Sequence, residues 1–73
     1  MDLLLSECKL NQTGVVKEVM DNHISTMLAE FGIIPGVEFT VLSRAPFNGP
    51  IFIRVDHNRI ALRRKEAAFI IVQ

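Results

Sequence analysis

The sequence predicts a mainly β fold, a small antiparallel barrel of about five short strands with one short α-helix inserted between the first and second. Two periodicities carry this reading. Val37, Phe39 and Val41 alternate with Glu38, Thr40 and Leu42, and Ile51, Ile53 and Val55 alternate with Phe52 and Arg54. That is the two-residue period of half-buried strands. Ile24, Met27, Leu28 and Phe31 instead fall at i, i+3, i+4 and i+7, one face of a short helix. Strands this brief leave vulnerable edges, and closing the sheet on itself removes most of them.

Taken in order, Leu3-Leu4-Leu5 forms an apolar anchor, and Ser6-Glu7-Cys8 suits one helical turn capped by Ser6. Asn11-Gln12-Thr13-Gly14 reads as a turn and Val15 to Val19 as the first strand. Asp21 or Asn22 can cap the helix from Ile24 to Phe31. A helix of about two turns does not persist alone in water, so its apolar face, including Phe31, is expected in the core. Gly32 is placed to take the left-handed conformation past the helix end, Pro35 forbids helical continuation, and Gly36 allows the turn into the strand Val37 to Arg44. The stretch from Ala45 to Pro50 is a loop with two prolines and an Asn-Gly pair. Ile51 to Val55 and Arg59 to Leu62 then form a hairpin across Asp56-His57-Asn58, where Asn58 tolerates positive φ. Residues 63–68 suit a helical turn before a last strand, Phe69 to Val72.

Seventy-three residues leave room for a single domain, expected over residues 1–73. Hydrophobic residues make up 49% of the chain, which marks a folding sequence rather than a disordered one. One cysteine, Cys8, allows no internal disulfide, and metal-finger spacings are absent. The start of the chain is too short and too acidic for a secretory signal, and no apolar run approaches a membrane span. These features point to the cytoplasm.

The net charge of zero conceals an asymmetry. Residues 1–43 hold two lysines against six acids, whereas residues 44–65 hold Arg44, Arg54, Arg59, Arg63, Arg64 and Lys65 against Asp56 alone. Such a half-chain fits an acidic partner surface, a nucleic acid or a lipid headgroup, and equally a set of solvated arginines on strand edges.

No catalytic spacing links His23, His57 and Cys8, which fall in separate turns, so no enzymatic activity is expected. The same three residues would ligate a metal only if folding gathered them. Gly32 and Gly36 follow a helix rather than lead into one, so they make no phosphate loop. With five phenylalanines and no Tyr or Trp, base-stacking platforms are few. Phe31 and Phe39 belong to the expected core, leaving Phe47 and Phe52. Phe47, in its proline-flanked loop, either folds back under the loop or meets a partner. Phe52 shares its outward strand face with Arg54, and Leu42 shares one with Arg44. Mixed apolar and arginine faces fit a protein interface, or else the cover of an open barrel end. The candidate partner-binding residues are Arg44, Phe47, Phe52, Arg54 and Arg63.

Leu5-Ser6-Glu7, Thr13-Gly14-Val15-Val16, the run Leu28-Ala29-Glu30-Phe31-Gly32-Ile33-Ile34-Pro35-Gly36-Val37-Glu38-Phe39, Arg44-Ala45-Pro46, Gly49-Pro50-Ile51 and Ile60 to Ala67 together resemble the FeoA family of bacterial ferrous-iron transport. The resemblance implies an SH3-like β-barrel with a helical insertion. It also implies an accessory protein that docks on the membrane transporter FeoB through the transporter's cytoplasmic GTP-binding domain. The family pattern prescribes no metal ligand here and implies no cofactor. The chain departs from that pattern at Ser25 and Thr26, where family members commonly carry arginine or lysine. Two other functions compete: a ferrous-iron sensor or carrier using His23 and His57, and a nucleic-acid-binding barrel. A homo-oligomer is compatible with the sequence.

Overall fold

A computed structural model describes residues 2–73. The elements are β1 (Leu3–Leu4), a 3-10 turn (Leu5–Glu7), β2 (Thr13–Val19), α1 (Asn22–Ala29), β3 (Glu38–Arg44), β4 (Ile51–Val55), β5 (Asn58–Leu62), α2 (Arg64–Ala67) and β6 (Ile70–Val72). Six strands form one sheet in the order β1-β6-β2-β3-β4-β5, and every neighbouring pair is antiparallel. The additional strand is the apolar anchor at the start, whose Leu3 and Leu4 pair with Val72 and Ile71. No ladder joins β5 to β1. That seam is bridged by α2, which packs against both β5 and the 3-10 turn.

The core is apolar throughout, with no buried polar side chain among the described residues. β4 supplies Ile51, Ile53 and Val55, each at most 1% exposed, while Phe52 and Arg54 face outward as the alternation requires. Phe39 and Val41 of β3 and Leu62 of β5 lie beside them.

The helix is capped by Asp21, whose Oδ1 accepts the Ile24 N–H at 2.9 Å. It ends earlier than the apolar spacing suggests. The Ile33 N–H donates to the Leu28 carbonyl and the Gly32 N–H to the Ala29 carbonyl, with Gly32 at φ 84°. This is the Schellman ending, which pairs an apolar residue in the last turn with one just beyond it. Leu28 and Ile33 fill those places, both buried. Phe31, expected in the core, is 53% exposed because the chain reverses at Gly32 and Ile33 takes the inward position. Gly36, at φ 97°, then donates to the Val16 carbonyl and ties the turn to β2.

Three local expectations are corrected. Ser6 caps nothing; the Glu7 carboxylate instead reaches back to the Leu4 N–H at 3.0 Å. Thr13 and Gly14 already belong to β2, paired with Thr40 and Phe39. In the β4–β5 turn, Val55 pairs with Asn58, leaving Asp56 and His57 as the loop, and Asp56 rather than Asn58 takes positive φ. The shorter loop suits the register that keeps Ile60 opposite Ile53.

Around Gly32 a Cβ would meet nothing within 4 Å, so its requirement is conformational alone. Gly32→Ala is therefore expected to cost about 1 kcal/mol of stability, with an unchanged urea m-value. Equilibrium urea unfolding followed by circular dichroism measures this.

Candidate protein-docking surface

The β3–β4 hairpin positions most of the candidate residues. In β3 the register shifts between Val41, opposite Ile53, and Ser43, opposite Phe52, so Leu42 is the extra residue of a bulge. The simple alternation placed Leu42 and Arg44 on one outward face, and the bulge breaks that pattern. Ser43 now shares the outer face with Phe52, while Arg44 sits opposite buried Ile51. Its guanidinium donates to the Ser6 carbonyl at 2.9 Å and to the Cys8 carbonyl, holding the N-terminal segment against the hairpin base. Burial pushes the neighbouring Cys8 thiol up from its ordinary value, against the opposing pull of the Arg44 charge.

Beyond Arg44 the chain makes a closed tip. The Ala45 N–H donates to the Pro50 carbonyl, and inside that closure the Gly49 N–H donates to the Pro46 carbonyl. The two central residues, Phe47 and Asn48, both have positive φ, at 59° and 58°. The pattern is that of a type I′ turn, which favours Asn and Gly at its centre. A phenylalanine there costs about 1–2 kcal/mol of backbone strain. The Phe47 side chain recovers nothing from burial, since the residue is 98% exposed. Of the two alternatives the sequence left open, the side chain does not fold back under the loop.

Down the hairpin from the tip, the outer face is laid out in rows. Ser43, Phe52 and Ala61 stand opposite one another across β3, β4 and β5. The next row is Thr13, Thr40, Arg54 and Arg59, running across β2 to β5. Phe52 is 38% exposed and both arginines are exposed. Arg59 was not singled out from the sequence, because its neighbour across the sheet is set by the hairpin register and not by spacing along the chain.

Arg63 stands elsewhere. With Met27, Phe31, Arg59, Ile60 and Glu66 it lines a groove of about 540 Å³ between α1 and β5, so Arg59 borders both surfaces. Its backbone N–H donates to the Glu66 carboxylate at 2.9 Å, which fixes the start of α2. His23, at the start of α1, and His57, in the β4–β5 turn, are exposed, whereas Cys8 is buried. Among the described residues no three of His, Cys, Asp and Glu come close enough to hold a metal ion. Nor is any described helix long and apolar enough to cross a membrane.

A bulged, six-stranded antiparallel sheet of this size, with one short inserted helix, is a small SH3-like fold. The FeoA domain model matches residues 3–73, and the chain belongs to that family. An iron uptake regulatory FeoA protein of known structure is 30% identical over 100% of this chain and 96% of its own, with a TM-score of 0.89. FeoA of Stenotrophomonas maltophilia, solved with zinc, is 33% identical, covering 97% of this chain and 89% of its own with a TM-score of 0.84. It is described as an SH3 domain protein possibly acting as a ferrous iron transport activating factor. A manganese-dependent transcriptional repressor shares 27% identity over 97% of this chain but only 40% of its own, with a TM-score of 0.88. Among curated proteins none matches significantly.

Arg44→Gln leaves two backbone carbonyls without their charged donor. It is expected to lower stability by about 1–3 kcal/mol in thermal or urea unfolding, while the outer face keeps its arrangement.

Proposed function

We propose that the protein is a non-enzymatic, cytoplasmic accessory factor of ferrous-iron uptake that docks on the cytoplasmic region of the transporter FeoB and modulates it. Phe47 carries this reading. An aromatic side chain held almost fully in solvent, on a turn that strains its own backbone, gains nothing for the isolated fold. Strain retained at an exposed site is a mark of function. Because the tip is closed by two backbone hydrogen bonds and flanked by Pro46 and Pro50, little conformational freedom remains to be lost on docking. Phe52 and Arg54 extend the contact along the same hairpin, and Arg63 adds a charge at the rim of the α1–β5 groove. Arg44 supports the surface from behind, anchoring the hairpin base. Membership of the FeoA family supplies the transport context.

Pull-down and calorimetry with the purified cytoplasmic domain of FeoB, with and without guanine nucleotide, test the reading. Phe47→Ala should weaken docking by about 1–3 kcal/mol and leave the melting temperature unchanged. Absence of binding in every nucleotide state, with iron uptake unaltered on deletion of the protein, would overturn it.

A further inference from the structure

Arg54 and Arg59 are direct cross-strand partners on the outer face of the β4–β5 hairpin. Residues so placed have Cβ atoms about 4.5–5.5 Å apart, and like charges there oppose pairing. Natural sheets ordinarily set an acid or a neutral residue in one of the two positions. Neither arginine forms an ion pair: among the described residues the single one is Lys17 with Asp2, on another part of the molecule. Glu38 and Asp56 share with Arg54 the wall of a depression of about 470 Å³, and neither forms an ion pair with it. Thr40 completes the row beside Arg54, adding a hydroxyl to the two guanidiniums.

We propose that Arg54 and Arg59, with Thr40, form a receptor for a carboxylate carried by a partner protein, an acidic side chain flanked by apolar residues. A guanidinium binds a planar carboxylate through paired N–H donors, and cross-strand neighbours bring two such groups within reach of one carboxylate. The neighbours choose the class of partner. On one side of the arginine row lie Phe52 and Ala61, which offer apolar area to the residue next to the acid. On the other side lie Glu38 and Asp56, so the positive surface is confined to the two arginines, a footprint for one carboxylate, and no basic track continues for a nucleic-acid strand to follow. This proposal rests on the reading of the hairpin as a docking surface, and it supplies the chemistry that Phe47 alone leaves open.

The test needs no transporter. Isotopically labelled full-length protein is titrated with hexaglutamate in dilute buffer, following the arginine Nε–H resonances, and separately with inorganic phosphate. Saturable shifts at Arg54 and Arg59 are expected from hexaglutamate, weakened about five- to ten-fold in the Arg54→Gln, Arg59→Gln double variant. The Lys9→Gln, Lys65→Gln double variant removes the same charge elsewhere and should change affinity by less than about two-fold. Relief of the like-charge contact should also raise the melting temperature of either single arginine variant at low salt. Equal weakening in both double variants, shifts that omit Arg54 and Arg59, phosphate shifts matching those of hexaglutamate, or a fall in melting temperature would each overturn the proposal. If hexaglutamate binds as stated while FeoB's domain does not, the receptor stands and the transporter reading falls.

Discussion

The rest of the structure depends on the burial of one face of β4. This strand lies between β3 and β5, and its Ile51, Ile53 and Val55 are almost wholly removed from water. Burying such side chains contributes about 1.5–3 kcal/mol each, against a total stability of only several kcal/mol for a domain this small. A slip of one residue would turn all three outward. The inner face therefore fixes the register on both sides of β4, and with it the outer face. Phe52 and Arg54 are outside because their neighbours must be inside.

The β3 bulge couples that outer face to the start of the chain. By inserting Leu42 between the Ile53 and Phe52 pairings, it carries Arg44 to the inner side, where the guanidinium meets the carbonyls of Ser6 and Cys8. The base of the hairpin is thereby fixed against the 3-10 turn, while its tip projects with both central residues of the turn in the left-handed region. A supported base and a strained, exposed tip are what the proposed docking surface requires, since little order remains to be gained on contact. The α1–β5 groove, lined by Phe31 and Met27 together with Arg59, Arg63 and Glu66, is a second mixed apolar and charged surface, left beside the short helix.

Much of the fold was legible because the sequence signals were local. The alternation in β4, the Asp21 cap and the left-handed Gly32 and Gly36 all follow from a residue and its immediate neighbours. The larger misses were non-local. Leu3 and Leu4 form a strand only because β6 is there to pair with them. Phe31 had the right spacing for the core, but Ile33 competes for the same space after the chain reverses. Arg44 lost its expected face to a bulge, which leaves no mark in the period of β3 itself. At the candidate surface, Phe47, Phe52 and Arg54 could be named from the sequence, whereas Arg59 emerges only from the pairing of β4 with β5. The Asn48-Gly49 pair pointed to a turn, yet the turn centres one residue earlier, which is why Phe47 carries the strain.

The central claim is that the hairpin tip and its outer face are where this FeoA-family chain meets its partner. Mapping chemical-shift changes in the labelled protein as FeoB's cytoplasmic domain is added tests it most directly. The account predicts changes concentrated at Phe47, Phe52, Arg54 and Arg59, with β2 and β6 little affected. Changes confined to Met27, Phe31 and Arg63 of the α1–β5 groove, or to the face of β2 and β6, would contradict it.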